Sequence, residues 1–134
     1  MENDGHFSGE IVGIGTDLTD VVRIRALLEK YSGAFLKKTF GDVEASYCMS
    51  LANPAESLAA RFAAKEAVAK ALGTGFSEGV TPRGIVVVKT PSGAPQVELD
   101  APSKKIMDSL GGKKIFLSLT HTKDYAQAFA IITR

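Results

Sequence analysis

A chain of 134 residues with net charge +1 and 45% hydrophobic residues has the size of one domain with a true core, and is too neutral for a nucleic-acid protein. No apolar run approaches the roughly 18–20 residues of a bilayer span, and the lone Cys48 excludes an internal disulfide or a multi-cysteine metal site. Residues 1–10 have no base ahead of an apolar stretch, so no secretory leader is expected and a cytoplasmic location is.

Residues 1–10 carry Glu2, Asp4 and Glu10 with no Lys or Arg. They are expected to form a flexible acidic lead-in, with the domain proper over 11–134. Ile11-Val12-Gly13-Ile14 reads as a short strand leaving into a turn at Gly15-Thr16-Asp17. A helix follows, with Val21, Ile24, Leu27, Leu28 and Tyr31 at helical spacing and Asp17 or Asp20 as its cap. Either cap leaves Arg23 in or near the first turn, where the helix dipole disfavours a cation. Residues 21–38 hold Arg23, Arg25, Lys30, Lys37 and Lys38 against Glu29 alone, a local charge of +4. A basic surface on a neutral protein suits an acidic partner, although an ordinary solvated helix face has the same composition.

Asn53-Pro54-Ala55-Glu56 has the form of a capped helix start, with Asn as N-cap, Pro at N1 and Glu at N3. The helix runs from Ser57 through Leu72 and stops at Gly73, a favoured C′ residue. Ala60, Ala63, Ala64, Ala67 and Ala71 share a face on which another backbone can pack closely. Phe62, Glu66 and Lys70 lie along a second stripe, and Arg61 and Lys65 form a neighbouring pair one turn apart. Residues 84–90 are β-branched and continuous, as in a strand covered on both faces. Pro91-Ser92-Gly93-Ala94 is turn chemistry, and residues 95–99 alternate as a half-buried partner strand. Residues 103–110 read as a short helix. Two last strands, 113–119 and 125–133, are joined by a hairpin loop, Thr120-His121-Thr122-Lys123-Asp124. These elements predict an α+β fold: a single compact domain with a mainly antiparallel sheet packed on a long helix.

Gly13-Ile14-Gly15 resembles the start of a dinucleotide fingerprint, but Leu18 stands where the third glycine belongs. Walker A and nucleophile-elbow motifs are absent. Asp17 and Glu66 are the strongest candidates for chemistry. Two carboxylates converging from separate elements suit Mg²⁺, which keeps several waters and takes further ligands from substrate phosphates. Arg61, Lys65 and Lys70 are placed to neutralise such phosphates. The plainer readings are an i,i+4 salt bridge between Glu66 and Lys70 and a capping role for Asp17. His121 in its loop is either a phosphate or proton contact or simply solvated. Gly73-Thr74-Gly75 offers backbone amides to a ligand or, equally, only closes the helix. Two other functional classes fit the same residues: another Mg²⁺-dependent phosphotransfer enzyme, and a non-catalytic ligand-binding α+β module.

Three ordered segments resemble the holo-acyl-carrier-protein synthase family, the short 4′-phosphopantetheinyl transferases. They are Gly13-Ile14-Gly15-Thr16-Asp17-Leu18 with Arg23-Ile24 behind it; Arg61-Phe62-Ala63-Ala64-Lys65-Glu66-Ala67-Val68-Ala69-Lys70-Ala71 followed by Gly73-Thr74-Gly75; and Ser118-Leu119-Thr120-His121 with Tyr125-Ala126. Weaker agreement lies over residues 40–48 and at Ser92-Gly93-Ala94-Pro95. The resemblance implies transfer of the phosphopantetheine arm of coenzyme A to a serine of an acyl carrier protein, with release of adenosine 3′,5′-bisphosphate, in support of fatty acid biosynthesis. It implies Mg²⁺ on Asp17 and Glu66, with Lys70 near the transferred phosphate. His121 then lies near the bound coenzyme, and Gly93 and Pro95 border its nucleotide end. Arg23 engages acidic residues of the carrier, and the chain forms a homotrimer with active sites between subunits. Thr122, after His121, cannot serve as an acid or base at neutral pH.

Overall fold

The computed structural model describes residues 9–134. Its strand β1 (Ile11–Asp20) pairs antiparallel with β5 (Tyr125–Thr133), and β5 pairs on its other edge with β4 (Lys114–His121), giving the order β1-β5-β4. Strands β2 (Ile85–Lys89) and β3 (Pro95–Leu99) form a separate antiparallel hairpin. The α+β class and the antiparallel pairing are as expected, but the strands form two sheets. Helix α1 (Val21–Thr39) follows β1 directly, then α2 (Asp42–Met49) and the long α3 (Pro54–Ala71); α4 (Ala101–Ser109) lies between the hairpin and β4.

Helix α3 lies across β1 and β5 because both sides of the contact are small. Ala126, Ala128 and Ala130 alternate inward along β5; Ala128 and Ala130 share a cluster with Ala63, Ala64, Ala67 and Ala71 of the helix, and Ala126 shares one with Ala59 and Ala60. On β1 the inward positions are glycines. A Cβ on Gly13 would lie 2.1 Å from the Ala71 carbonyl oxygen, and one on Gly15 would lie 2.0 Å from that of Ala67. The Gly13-Ile14-Gly15 pattern is therefore a device for close strand–helix packing. A second cluster fills the space between α1 and the first half of α3, with Val21, Ile24, Phe35, Phe40, Leu58 and Phe62 at its centre.

Several expectations shift at the element ends. Strand β1 continues to Asp20, so Asp17 lies within the strand and not past its end. Asp20 is the cap of α1, its Oδ1 accepting from Val22 N at 2.9 Å. Arg23 occupies the first turn, as read from the sequence. Helix α1 reaches Thr39 across a break at Ser32, whose φ is +42°. The side chain of Asn53 makes no capping bond, and Glu56 turns away from the helix start. Gly73 ends α3 with φ +85°. Val86 and Val88 are only half-buried, so β2 is covered more fully on one face than on the other. Of the acidic lead-in, residues 1–8 lie outside the described residues. Glu10 belongs to the domain, its carbonyl accepting from Arg134 N at 2.8 Å.

Candidate active site

Inward positions alternate along β1, so Asp17 shares the α3-facing side with Gly15 and Thr19. Its Oδ2 accepts from the Thr19 hydroxyl at 2.7 Å, which fixes the carboxylate, and its Oδ1 lies 3.4 Å from Lys70 Nζ. Lys70 also donates to the Thr16 carbonyl at 3.0 Å. The i,i+4 bridge to Glu66 is thus replaced by a bond across to the strand. Glu66, on the same stripe of α3 one turn earlier, feels Asp17 directly. Its pKa is raised above the ordinary 4.5, chiefly by burial and then by the Asp17 charge, with Lys70 and Arg23 opposing the rise. Two carboxylates and one ammonium therefore converge where β1 crosses α3. Arg23 stands at the rim with its guanidinium 5.6 Å from the centre of the Phe62 ring.

A second group of residues lies toward the start of α3. A cavity of about 410 Å³ is walled by Tyr47, Glu56, Arg61, Lys89 and His121 among others. A smaller one of about 210 Å³ shares Arg61, Lys89 and Leu119 with it and adds Gly93 and Pro95. Gly93 turns the β2–β3 hairpin at φ +89° with open space around its Cα, and its amide donates to the Thr90 carbonyl at 2.8 Å. His121 is the last residue of β4 and not part of a loop; its Nδ1 lies 3.4 Å from Glu56 Oε1. Thr122 has a structural task, its hydroxyl accepting from the amides of Asp124 and Tyr125 to close the hairpin. Arg61 is only 8% exposed, and its guanidinium sits 5.0 Å from the centre of the Tyr47 ring. One of its nitrogens donates to the Ser57 hydroxyl at 3.3 Å, while Nε is buried without a partner.

Two sequence-based assignments are corrected by burial and bonding. Lys65 was expected beside a phosphate, but it is fully buried and all its ammonium hydrogens are committed. They go to Glu44 Oε1 at 2.7 Å, the Pro82 carbonyl at 2.9 Å and the Ile85 carbonyl at 2.6 Å. Burial lowers its pKa, and the Glu44 charge opposes the fall. The Gly73-Thr74-Gly75 loop closes the helix: Gly73 N donates to the Lys70 carbonyl, Gly75 N to that of Ala69, and the Thr74 hydroxyl to that of Gly75. Neither glycine amide is left for a ligand. Tyr47, Lys89 and Glu56 join the cavity without having been singled out as site residues. For Tyr47 the only signal was the weak family agreement over residues 40–48.

Comparison with known proteins gives the family and the fold. A family model described as the 4′-phosphopantetheinyl transferase superfamily matches residues 13–130. A holo-[acyl-carrier-protein] synthase of Chlamydia caviae is 45% identical over 118 residues, covering 88% of this chain and 93% of that protein. The crystal structure of the holo-[acyl-carrier-protein] synthase of Neisseria meningitidis superposes with a TM-score of 0.86 at 33% identity, over 93% of this chain and 100% of the other. That of Helicobacter pylori, in complex with coenzyme A, superposes with a TM-score of 0.78 at 28% identity, over 90% and 99%.

Proposed function

This chain belongs to the 4′-phosphopantetheinyl transferase superfamily, and from its own residues we propose how it moves the phosphopantetheine arm of coenzyme A onto a serine of an apo acyl carrier protein, leaving adenosine 3′,5′-bisphosphate. The observation that carries the proposal is the convergence of Asp17 and Glu66, close enough that the Asp17 charge helps to raise the Glu66 pKa, beside the ammonium of Lys70. No cluster of three or more His, Cys, Asp or Glu suited to a metal occurs among the described residues. Two carboxylates alone fit Mg²⁺, which fills its shell with waters and substrate phosphates, better than a metal needing a protein cage. When bound there, the ion supplies charge neutralisation and alignment for the diphosphate.

The remaining work falls to the chain. Attack of the serine hydroxyl on the β-phosphorus needs positioning more than covalent help. Lys70, with a half-exposed side chain, is free to leave Asp17 and offset charge growing on the leaving phosphate. The serine proton needs an acceptor at that point, and Asp17 and Glu66 are the basic groups beside it. Arg61, His121 and the Gly93–Pro95 turn bind the nucleotide end of the coenzyme. Arg23, Arg25, Lys30, Lys37 and Lys38 all point to solvent from α1 and supply a docking surface for an acidic carrier, Arg23 linking that surface to the carboxylates. The homotrimer is supported by the outer face of the three-stranded sheet, where Ile14, Leu18, Tyr125 and Phe129 stand 41–64% exposed. Cytoplasmic fatty acid biosynthesis is the setting such a reaction serves.

The test is direct. Incubation with coenzyme A, Mg²⁺ and an apo carrier protein is expected to add one phosphopantetheine mass to the carrier by intact mass spectrometry. Glu66→Ala should reduce the rate at least a hundredfold (~3 kcal/mol in the barrier). Conversion at the wild-type rate by this variant would remove Glu66 from the mechanism.

A further inference from the structure

Resting on the Mg²⁺ reading above, we propose that Thr19 is a positioning residue that sets the ion affinity of the site, by holding one oxygen of Asp17 and leaving the other open to exchange. Thr19 lies two residues beyond Asp17 on β1, so both side chains leave the same face of the strand. Their cross-strand partners are Ala126 and Ala128, whose small side chains leave room for the pair on the α3 side of the sheet. Thr19 is 2% exposed and β-branched, which confines its hydroxyl to few directions. The hydroxyl donates to Asp17 Oδ2 at 2.7 Å, the length of a charge-assisted bond to a carboxylate. Thr16 of the same strand shows the ordinary alternative, its hydroxyl donating to the Ala128 carbonyl at 3.0 Å. Thr19 gives its single proton to the acid instead.

The two oxygens of Asp17 are therefore unequal. Oδ2 is tied to a buried hydroxyl on its own strand. Oδ1 faces Lys70 Nζ at 3.4 Å, longer than a normal N–H···O bond, and that lysine side chain is half-exposed. A divalent cation carries more charge than the ammonium and can take its place at Oδ1, whereas the Thr19 hydroxyl stays with Oδ2. A carboxylate left free to turn would lose that freedom on binding an ion, and the loss would weaken the binding. Holding Oδ2 removes the freedom beforehand, so Asp17 offers one oxygen in a fixed direction, toward the carboxylate of Glu66 on α3. Outer hydrogen bonds of this kind govern metal affinity by roughly ten- to a hundredfold.

The experiment titrates the protein with Mn²⁺, a paramagnetic stand-in for Mg²⁺, in the presence of coenzyme A and reads the free ion by electron paramagnetic resonance. Thr19→Val keeps the branched shape and removes the hydroxyl. It should weaken Mn²⁺ binding by at least about tenfold and raise the Mg²⁺ needed for half-maximal transfer by a similar factor. Thr19→Ser returns the hydroxyl and should bind Mn²⁺ within about threefold of the unaltered protein, well inside the range expected for the loss. Urea unfolding checks that both variants are folded. Ion binding by Thr19→Val equal to that of the unaltered protein would overturn the proposal. Equal losses in the valine and serine variants would overturn it too, because they would trace the effect to packing and not to the hydroxyl. An unaltered, folded protein that takes up no Mn²⁺ would instead refute the Mg²⁺ reading on which the proposal rests.

Discussion

Lys65 and Glu66 are neighbours in α3 with opposite fates: one is sealed in the core, and the other keeps its carboxylate toward a site. The sequence did not separate them, because α3 buries residues on almost every side and so lacks a polar face from which to read direction. Glu66 carries an electrostatic cost. An acid whose native pKa lies above its unfolded value binds more protons folded than unfolded. Its contribution to stability is full below about 4.5 and is lost as pH rises through the raised native value. Glu66→Gln removes the charge and should raise the Tm at pH 7 by roughly 1–3 °C while abolishing transfer. Scanning calorimetry at pH 4 and pH 7 checks the sign, since the gain should shrink at the lower pH. A variant that loses stability at pH 7 would show that the carboxylate is held by favourable contacts.

At the scale of elements, α3, the β2–β3 hairpin and β5 were legible, since each has either punctuation (Pro54, Gly73, Gly93) or a clear apolar run. Helix α2 was not, because its buried positions are Glu44 and Cys48, which draw no hydrophobic stripe. The full length of β1 was hidden for a similar reason: its inward side is Gly13, Gly15, Asp17 and Thr19, small or polar throughout. Helix α2 earns its place through Glu44. That carboxylate accepts from Lys65, from Gly41 N at 2.9 Å and from Val87 N at 2.8 Å, tying α2, α3 and β2 together. Glu44→Ala would strand the Lys65 charge and two amides in the core and should cost about 3–5 kcal/mol, read as a lower midpoint in urea unfolding. A loss under about 1 kcal/mol would mean that water replaces the carboxylate.

For the whole molecule, the three-stranded sheet has one face on α3 and the other uncovered. Cross-strand register brings Ile14 opposite Ile131, and Thr16 opposite Phe129, across that open face. The alternation that buries Ala126, Ala128 and Ala130 obliges Tyr125 and Phe129 to point outward, so this patch follows from strand geometry once the inner side is fixed. The proposed trimer uses this face. Phe129→Lys places a charge in the patch and should convert a trimer to monomers by multi-angle light scattering, with the far-ultraviolet spectrum unchanged. An assembly of unaltered mass would put the contact elsewhere.

The glycines of β1 have a consequence for evolution as well as for packing. Gly15 stands two residues before Asp17, and its bare backbone rests on the rung of helix that precedes Lys70. One added methyl there would wedge strand from helix and lift one acid away from the other. Drift at this position is therefore held in check by packing and chemistry together, and a lineage can lose the reaction through an alanine that touches no reactant.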